Sequence, residues 1–131
     1  MAVNHLTQYA EQIKDFDDQE FLYDWLIDLG KELSNKKKFH IRDQINYVNG
    51  CQSQVWLTGL DNNGRWTFLF ETDGFLVYGI GKIVLDTFND LTAAEIKNIT
   101  YHDFKPIAAV LSSQRQRGLQ AIINKIHTLV G

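Results

Sequence analysis

The run Val55-Trp56-Leu57-Thr58-Gly59-Leu60-Asp61-Asn62-Asn63-Gly64-Arg65-Trp66-Thr67-Phe68-Leu69-Phe70-Glu71 decides the fold. Val55 and Leu57 alternate with Trp56 and Thr58, the period of two that sends successive side chains to opposite faces of a strand. Asp61-Asn62-Asn63-Gly64 interrupts the run with residues that tolerate positive φ. Trp66, Phe68 and Phe70 then alternate with Thr67, Leu69 and Glu71. Two strands joined by such a turn form an antiparallel hairpin, and a face this aromatic requires helices to cover it.

Helical patterns stand on both sides. Upstream, Leu6 to Phe16 reads as an opening helix with Tyr9, Ile13 and Phe16 on one side. Asp17 or Asp18 can cap a second helix, in which Leu22, Trp25, Leu26, Leu29 and Leu33 make one apolar stripe. Gly30 interrupts that stripe at roughly 1 kcal/mol against alanine, which marks either a close contact or a loosened last turn. Ser34 to His40, with Lys36-Lys37-Lys38, reads as a solvated loop or an acidic partner's docking patch. Ile41 to Val48 reads as a turn and then an edge segment around Ile45–Val48.

Downstream, Leu76, Ile80, Ile83, Val84 and Phe88 stripe a helix over Phe75–Phe88. Thr92-Ala93-Ala94-Glu95 has the spacing of a capping box. Pro106, the one proline, divides Tyr101–Leu111 into short helical pieces. Ser112 or Ser113 starts a last helix striped by Leu119, Ile122, Ile123, Ile126 and Leu129. The order predicts an α+β class: a small antiparallel sheet of two to three strands flanked by helices, in a single domain over residues 1–131.

Composition narrows the functions. A net charge of −3 and a pI near 5.7 give no general attraction to a phosphate backbone, so nucleic acid is not an expected partner. The apolar stretch Phe75–Leu85 is broken by two glycines and Lys82, so no membrane span is expected, and residues 1–14 lack a secretory signal's apolar segment. One cysteine permits no internal disulfide and no cysteine-based cluster or zinc site, and it suits a reducing, cytoplasmic setting. His5, His40, His102 and His127 are scattered without ligand spacing, each expected at the surface, and no metal is expected.

That cysteine, Cys51, follows Asn49-Gly50 and precedes the first strand, among the polar residues Gln52, Ser53 and Gln54. A thiol with a pKa of about 8.5 at a loop-to-strand junction is a candidate nucleophile, the more so if turn N–H groups or a cation favour its thiolate. Gln52 and Gln54 are candidates for hydrogen bonds in its loop. Asp73 either caps the helix near Phe75 or anchors the cysteine loop. Arg115 is either a charge at a helix start or a stabiliser of sulfur anions and a partner contact. His40 opens the alternative of a Cys-His hydrolase or transferase, and an interaction domain with an inert thiol is a third reading.

Gly50-Cys51-Gln52-Ser53-Gln54-Val55-Trp56 resembles the signature of the SufE/CsdE family, sulfur acceptors that work with cysteine desulfurases. Tyr23 with Leu26-Ile27-Asp28-Leu29-Gly30 is similar to the family's helix ending in Leu-Gly. Thr72-Asp73-Gly74 with Val77, Gly79 and Ile80 is similar to its segment entering the helix after the sheet. Leu111-Ser112-Ser113-Gln114-Arg115-Gln116-Arg117-Gly118-Leu119 resembles its Leu-Thr/Ser-Pro-Ser-Arg-Ser-Asn/Gln-Gly-Leu segment. The family's tryptophan at the start of the second helix is missing, Ser34 and Ser113 replace prolines, Arg117 adds a charge, and Val110 replaces a histidine of some members.

The resemblance implies the fold shared by SufE and the IscU-like scaffolds. It also implies a role. A pyridoxal-phosphate (PLP) cysteine desulfurase of the SufS/CsdA kind passes persulfide sulfur to Cys51. Cys51 hands it to an iron–sulfur scaffold complex of the SufBCD kind or to another acceptor. On this reading the chain is an accessory carrier and desulfurase activator and binds no PLP itself. A scaffold role would need several cysteines, and this chain has one. A persulfide must be kept from solvent thiols, so Cys51 is expected to rest against apolar neighbours.

Overall fold

A computed structural model describes residues 2–36 and 40–131, and of residues 2–4 the backbone alone. The elements run α1 (Ala2–Ile13), α2 (Gln19–Ser34), β1 (Val55–Asn62), β2 (Arg65–Thr72), α3 (Phe75–Phe88), β3 (Leu91–Thr92), α4 (Ala93–Lys97), α5 (Lys105–Ala108) and α6 (Ser113–Val130), with short 3₁₀ turns at Gln44–Asn46 and Tyr101–Phe104. The class is α+β, as the patterning predicts.

The hairpin is in register from Val55 opposite Thr72 to Asn62 opposite Arg65. Its loop is the pair Asn63-Gly64, with φ of 55° and 89°, the left-handed pair that a two-residue turn needs to match strand twist. Asp61 braces it by accepting a hydrogen bond from the Gly64 N–H at 2.8 Å. The third strand is not the expected Ile45–Val48 edge. That segment begins as the 3₁₀ turn and meets β1 through one bridge, Tyr47 to Trp56, with Ile45 80% exposed. Leu91–Thr92 instead pairs with Trp66 and Arg65 on β2, giving the order β1-β2-β3. Two residues are too few to leave an alternation in sequence.

One apolar cluster joins the sheet to the helices, with Leu57, Phe68, Val84, Phe88, Phe104, Leu119 and Ile126 almost fully buried. The stripes of α2, α3 and α6 face it, which is why their periods are readable. Gly30 is a close contact. A Cβ on it would lie 2.5 Å from the Gly79 nitrogen, and one on Gly79 would lie 2.1 Å from the Leu26 carbonyl oxygen. The backbones of α2 and α3 therefore touch.

Smaller details bear out some expectations and correct others. Helix α1 ends at Ile13, so Phe16 reaches the Trp25 ring, 5.7 Å away, from beyond the helix. Tyr101–Leu111 holds two short helical pieces, as expected, and Pro106 sits in the first turn of the second, where its missing N–H costs nothing. Thr92 and Glu95 form both halves of the capping box, and Ser112 rather than Ser113 caps α6. His127 is half-buried, with Nε2 2.8 Å from the Ile99 carbonyl, so it is not the surface residue expected. Lys36-Lys37-Lys38 lies mostly outside the described residues. No helix among those described is long and apolar enough to cross a membrane.

Candidate functional site

The residues between Val48 and Val55 form a loop across the N-terminal half of α6. The Val48 N–H donates to the Val55 carbonyl at 2.8 Å and closes the loop's neck. Gly50 takes a φ of 101°, where a Cβ would also lie 3.3 Å from that of Ala121 on α6. This conformation turns Cys51 inward, and its thiol donates a long bond to the Gly118 carbonyl at 3.6 Å. A Cβ on Gly118 would stand 3.5 Å from the sulfur. Gly118 is visible in sequence as a glycine inside the last helix, but nothing local says that it faces Cys51.

Beside the thiol lies a cavity of about 170 Å³, walled by Phe75, Val77 and Ile80 of α3 and by Leu119 and Ile122 of α6. Gln52, Ser53 and Arg115 also border it. Cys51 is half-buried against the apolar core, as the sequence reading expects. Burial pushes its pKa up to about 11, because an anion loses more than a neutral thiol on leaving water. The expectation that turn N–H groups or a cation favour the thiolate does not hold in this closed arrangement. The Arg115 guanidinium lies over the Tyr23 ring, 5.2 Å from its centre.

The loop's exit is held by hydrogen bonds from the end of β2. The Asp73 carboxylate accepts from the Gln54 N–H at 3.0 Å, and the Thr72 hydroxyl donates to the Gln54 carbonyl at 2.6 Å. The Asp73 N–H donates to the same carbonyl at 3.3 Å. Of the two readings for Asp73, the geometry gives the loop anchor. The residue capping α3 is Gly74, and no side chain caps that helix. Gln54 contributes through its backbone, and its exposed side chain and that of Gln52 make no hydrogen bond among the described residues. Thr72, with its side chain buried, carries no signal in sequence because a threonine in a strand is ordinary.

The structure thus brings Cys51, Gln52 and Arg115 to one cavity and sets Gln54 and Asp73 at the loop's exit. Among the described residues no histidine lines the cavity. Among the described residues no group of three His, Cys, Asp or Glu side chains is placed to hold a metal ion. Phe75, at the rim, is 72% exposed.

A small α+β domain that holds a lone thiol under a loop, against apolar walls, defines a class of sheltered-thiol proteins. Within that class the chain belongs to the SufE family: the family model described as "Fe-S metabolism associated domain" matches residues 7–130. The family ties the chain to iron–sulfur metabolism. An uncharacterized SufE-like protein of Rhizobium meliloti (strain 1021) is 38% identical, the match covering 92% of this chain and 93% of that protein. Another from Rhizobium etli is 36% identical over 92% of this chain and 86% of its own. The solution structure of a hypothetical protein from Thermus thermophilus shares the fold, with a TM-score of 0.74 at 14% identity over 96% of this chain and 93% of that one.

Proposed function

We propose that the protein is a sulfur acceptor and carrier for a PLP-dependent cysteine desulfurase, with Cys51 taking sulfur by transpersulfidation and passing it to an iron–sulfur scaffold complex or another acceptor. The observation that carries this reading is the single thiol held beside an apolar cavity of about 170 Å³. A single water occupies only about 10–15 Å³ of such a cavity, so the outer sulfur of a persulfide has room beside Cys51. SufE membership supports the same reading.

The chemistry is a substitution at sulfur. Cys51 loses its proton and attacks the terminal sulfur of the desulfurase's persulfide. A new S–S bond forms on Cys51, the donor's S–S bond breaks, and the donor cysteine leaves as a thiolate that takes up a proton. The outer sulfur passes from one cysteine to the other at an unchanged oxidation level, so no oxidant or reductant is consumed. PLP remains with the desulfurase, and this chain needs no cofactor of its own.

The resting loop disfavours the thiolate, so attack requires Cys51 to leave its cavity for the partner's site. The exposed Phe75 at the rim offers an apolar contact for that partner, and Arg115 offers a cation for the sulfur anions formed there. Gln52 sits on the same rim, while Asp73, through Gln54, ties down the loop that must move. A reducing cytoplasm fits a carrier with a free thiol.

The test mixes the protein with a cognate desulfurase, PLP and cysteine, and reads the intact mass. One added sulfur atom, removed by dithiothreitol and absent in Cys51→Ser, is the expected result. No adduct in the presence of an active desulfurase overturns the reading.

A further inference from the structure

Arg42 lies nine residues before Cys51 and outside the cavity, yet it touches the parts of the sheet that hold the loop. Its Nε donates to Glu71 Oε1 at 2.7 Å, and its Nη2 lies 3.4 Å from the Thr72 carbonyl. The guanidinium carbon sits 4.6 Å from the centre of the Trp56 ring. Trp56 follows the loop's exit on β1 and is bridged to Tyr47 ahead of its entry. Glu71 and Thr72 are both buried, and a carboxylate there is tolerable only when paired. One planar cation thus pins the chain before the loop, the strand after it, and the residues next to Asp73. The fork geometry suits arginine, since an ammonium cannot stack and bond on two sides at once.

We propose that Arg42 is a positioning residue for Cys51: by fixing Glu71 and Thr72 it sets the Thr72–Asp73 anchor on Gln54, and so keeps the cysteine loop closed over its cavity. The consequence for sulfur transfer rests on the proposed carrier role, whereas the hold on the thiol does not. The two are separable because closure is measured on the isolated protein.

The experiment times alkylation of Cys51 by iodoacetamide at fixed pH, well below the melting temperature. Arg42→Gln is expected to react about tenfold faster than the unmodified protein, the ratio that a lost charge-assisted restraint of about 1.4 kcal/mol gives. Arg42→Lys is expected to recover part of the difference. Because both act through one anchor, Arg42→Gln combined with Asp73→Ala should be less than multiplicative. Lys82→Gln, which breaks the distant pairs with Glu32 and Asp86, controls for general loss of stability and is expected to leave the rate unchanged. If Arg42→Gln does not fold, Glu71→Gln carries the same test, since it removes the buried charge together with its ion pair. A folded variant alkylated at the unmodified rate overturns the proposal, as does equal acceleration by Lys82→Gln. The expected pattern of alkylation rates across the series, together with failed sulfur uptake by the unmodified protein, would instead count against the carrier role alone.

Discussion

The Cys51 sulfur rests on the Gly118 backbone, 3.6 Å from its carbonyl oxygen, where a side chain would begin 3.5 Å from the sulfur. That spacing is an ordinary contact for one methyl group and too small for a branched one. Gly118→Ala should therefore keep the loop closed, with a gain of roughly 0.5–1 kcal/mol from helix propensity. Gly118→Val should overpack the contact by about 1–3 kcal/mol and drive the thiol out. Iodoacetamide labelling separates them: the valine variant reacts about tenfold faster or more, while the alanine variant does not.

Alkylation of the free protein should have an unusual pH profile. With Cys51 pushed up to about 11, the rate should climb about tenfold per pH unit from pH ~7 to pH ~10 without a plateau, whereas an exposed thiol levels off above about 8.5. The folded pKa is raised, so the contribution of the protonated thiol to stability is complete below the unfolded value of about 8.5 and is lost as pH rises toward 11. Cys51→Ser should flatten that alkaline part of a denaturation profile.

Asp73→Ala removes the acceptor for the Gln54 N–H and leaves residue 54 held through its carbonyl alone. Loop anchoring should fall by about 1 kcal/mol. Because Asp73 is exposed, the melting temperature should hardly change. Faster amide exchange at Gln54, with unchanged exchange in β1, is the expected result.

Phe75→Ser removes an apolar side chain that is 72% exposed and contributes little to the core. The folded protein should keep its melting temperature. If α3 meets the desulfurase there, sulfur uptake should need a higher carrier concentration for half its maximal rate, and an unchanged concentration dependence would remove Phe75 from the interface.

Gly79→Ala should be the most damaging of these changes. Its Cβ would fall 2.1 Å from the Leu26 carbonyl oxygen, and neither helix can yield without opening the core. A loss of about 3 kcal/mol or more is expected, with Tm lower by on the order of 10 °C.

What can be read from sequence follows from how far each signal reaches. The stripes Leu22–Leu26–Leu29 and Leu119–Ile122–Ile126 are local records of burial, and Asn63-Gly64 is a local record of backbone angle, so those elements are legible. Cys51 is legible through its setting in the heptad. Pairings across the chain are not. Gly118 is 67 residues from the sulfur it supports. Arg42 is 29 residues from Glu71, and nothing beside either residue announces the other. Asp73 shows why two local readings stay open: a cap for α3 and an anchor for the loop need the same residue type, and the choice depends on where Gln54 lies. The Ile45–Val48 segment misleads because Ile45 is apolar yet 80% exposed, so composition there does not report burial.

Helices α2 and α3 meet in a flush contact. Phe75, Val77 and Ile80, one wall of the thiol's cavity, ride on a helix whose neighbour touches it backbone to backbone through Gly30 and Gly79. Such a joint has no slack, so that wall cannot slide aside to expose the sulfur. On the proposed carrier role, the molecule works as a rigid socket with a hinged plug: a partner would draw out the six-residue strap from Asn49 to Gln54 and leave the socket unaltered for its return.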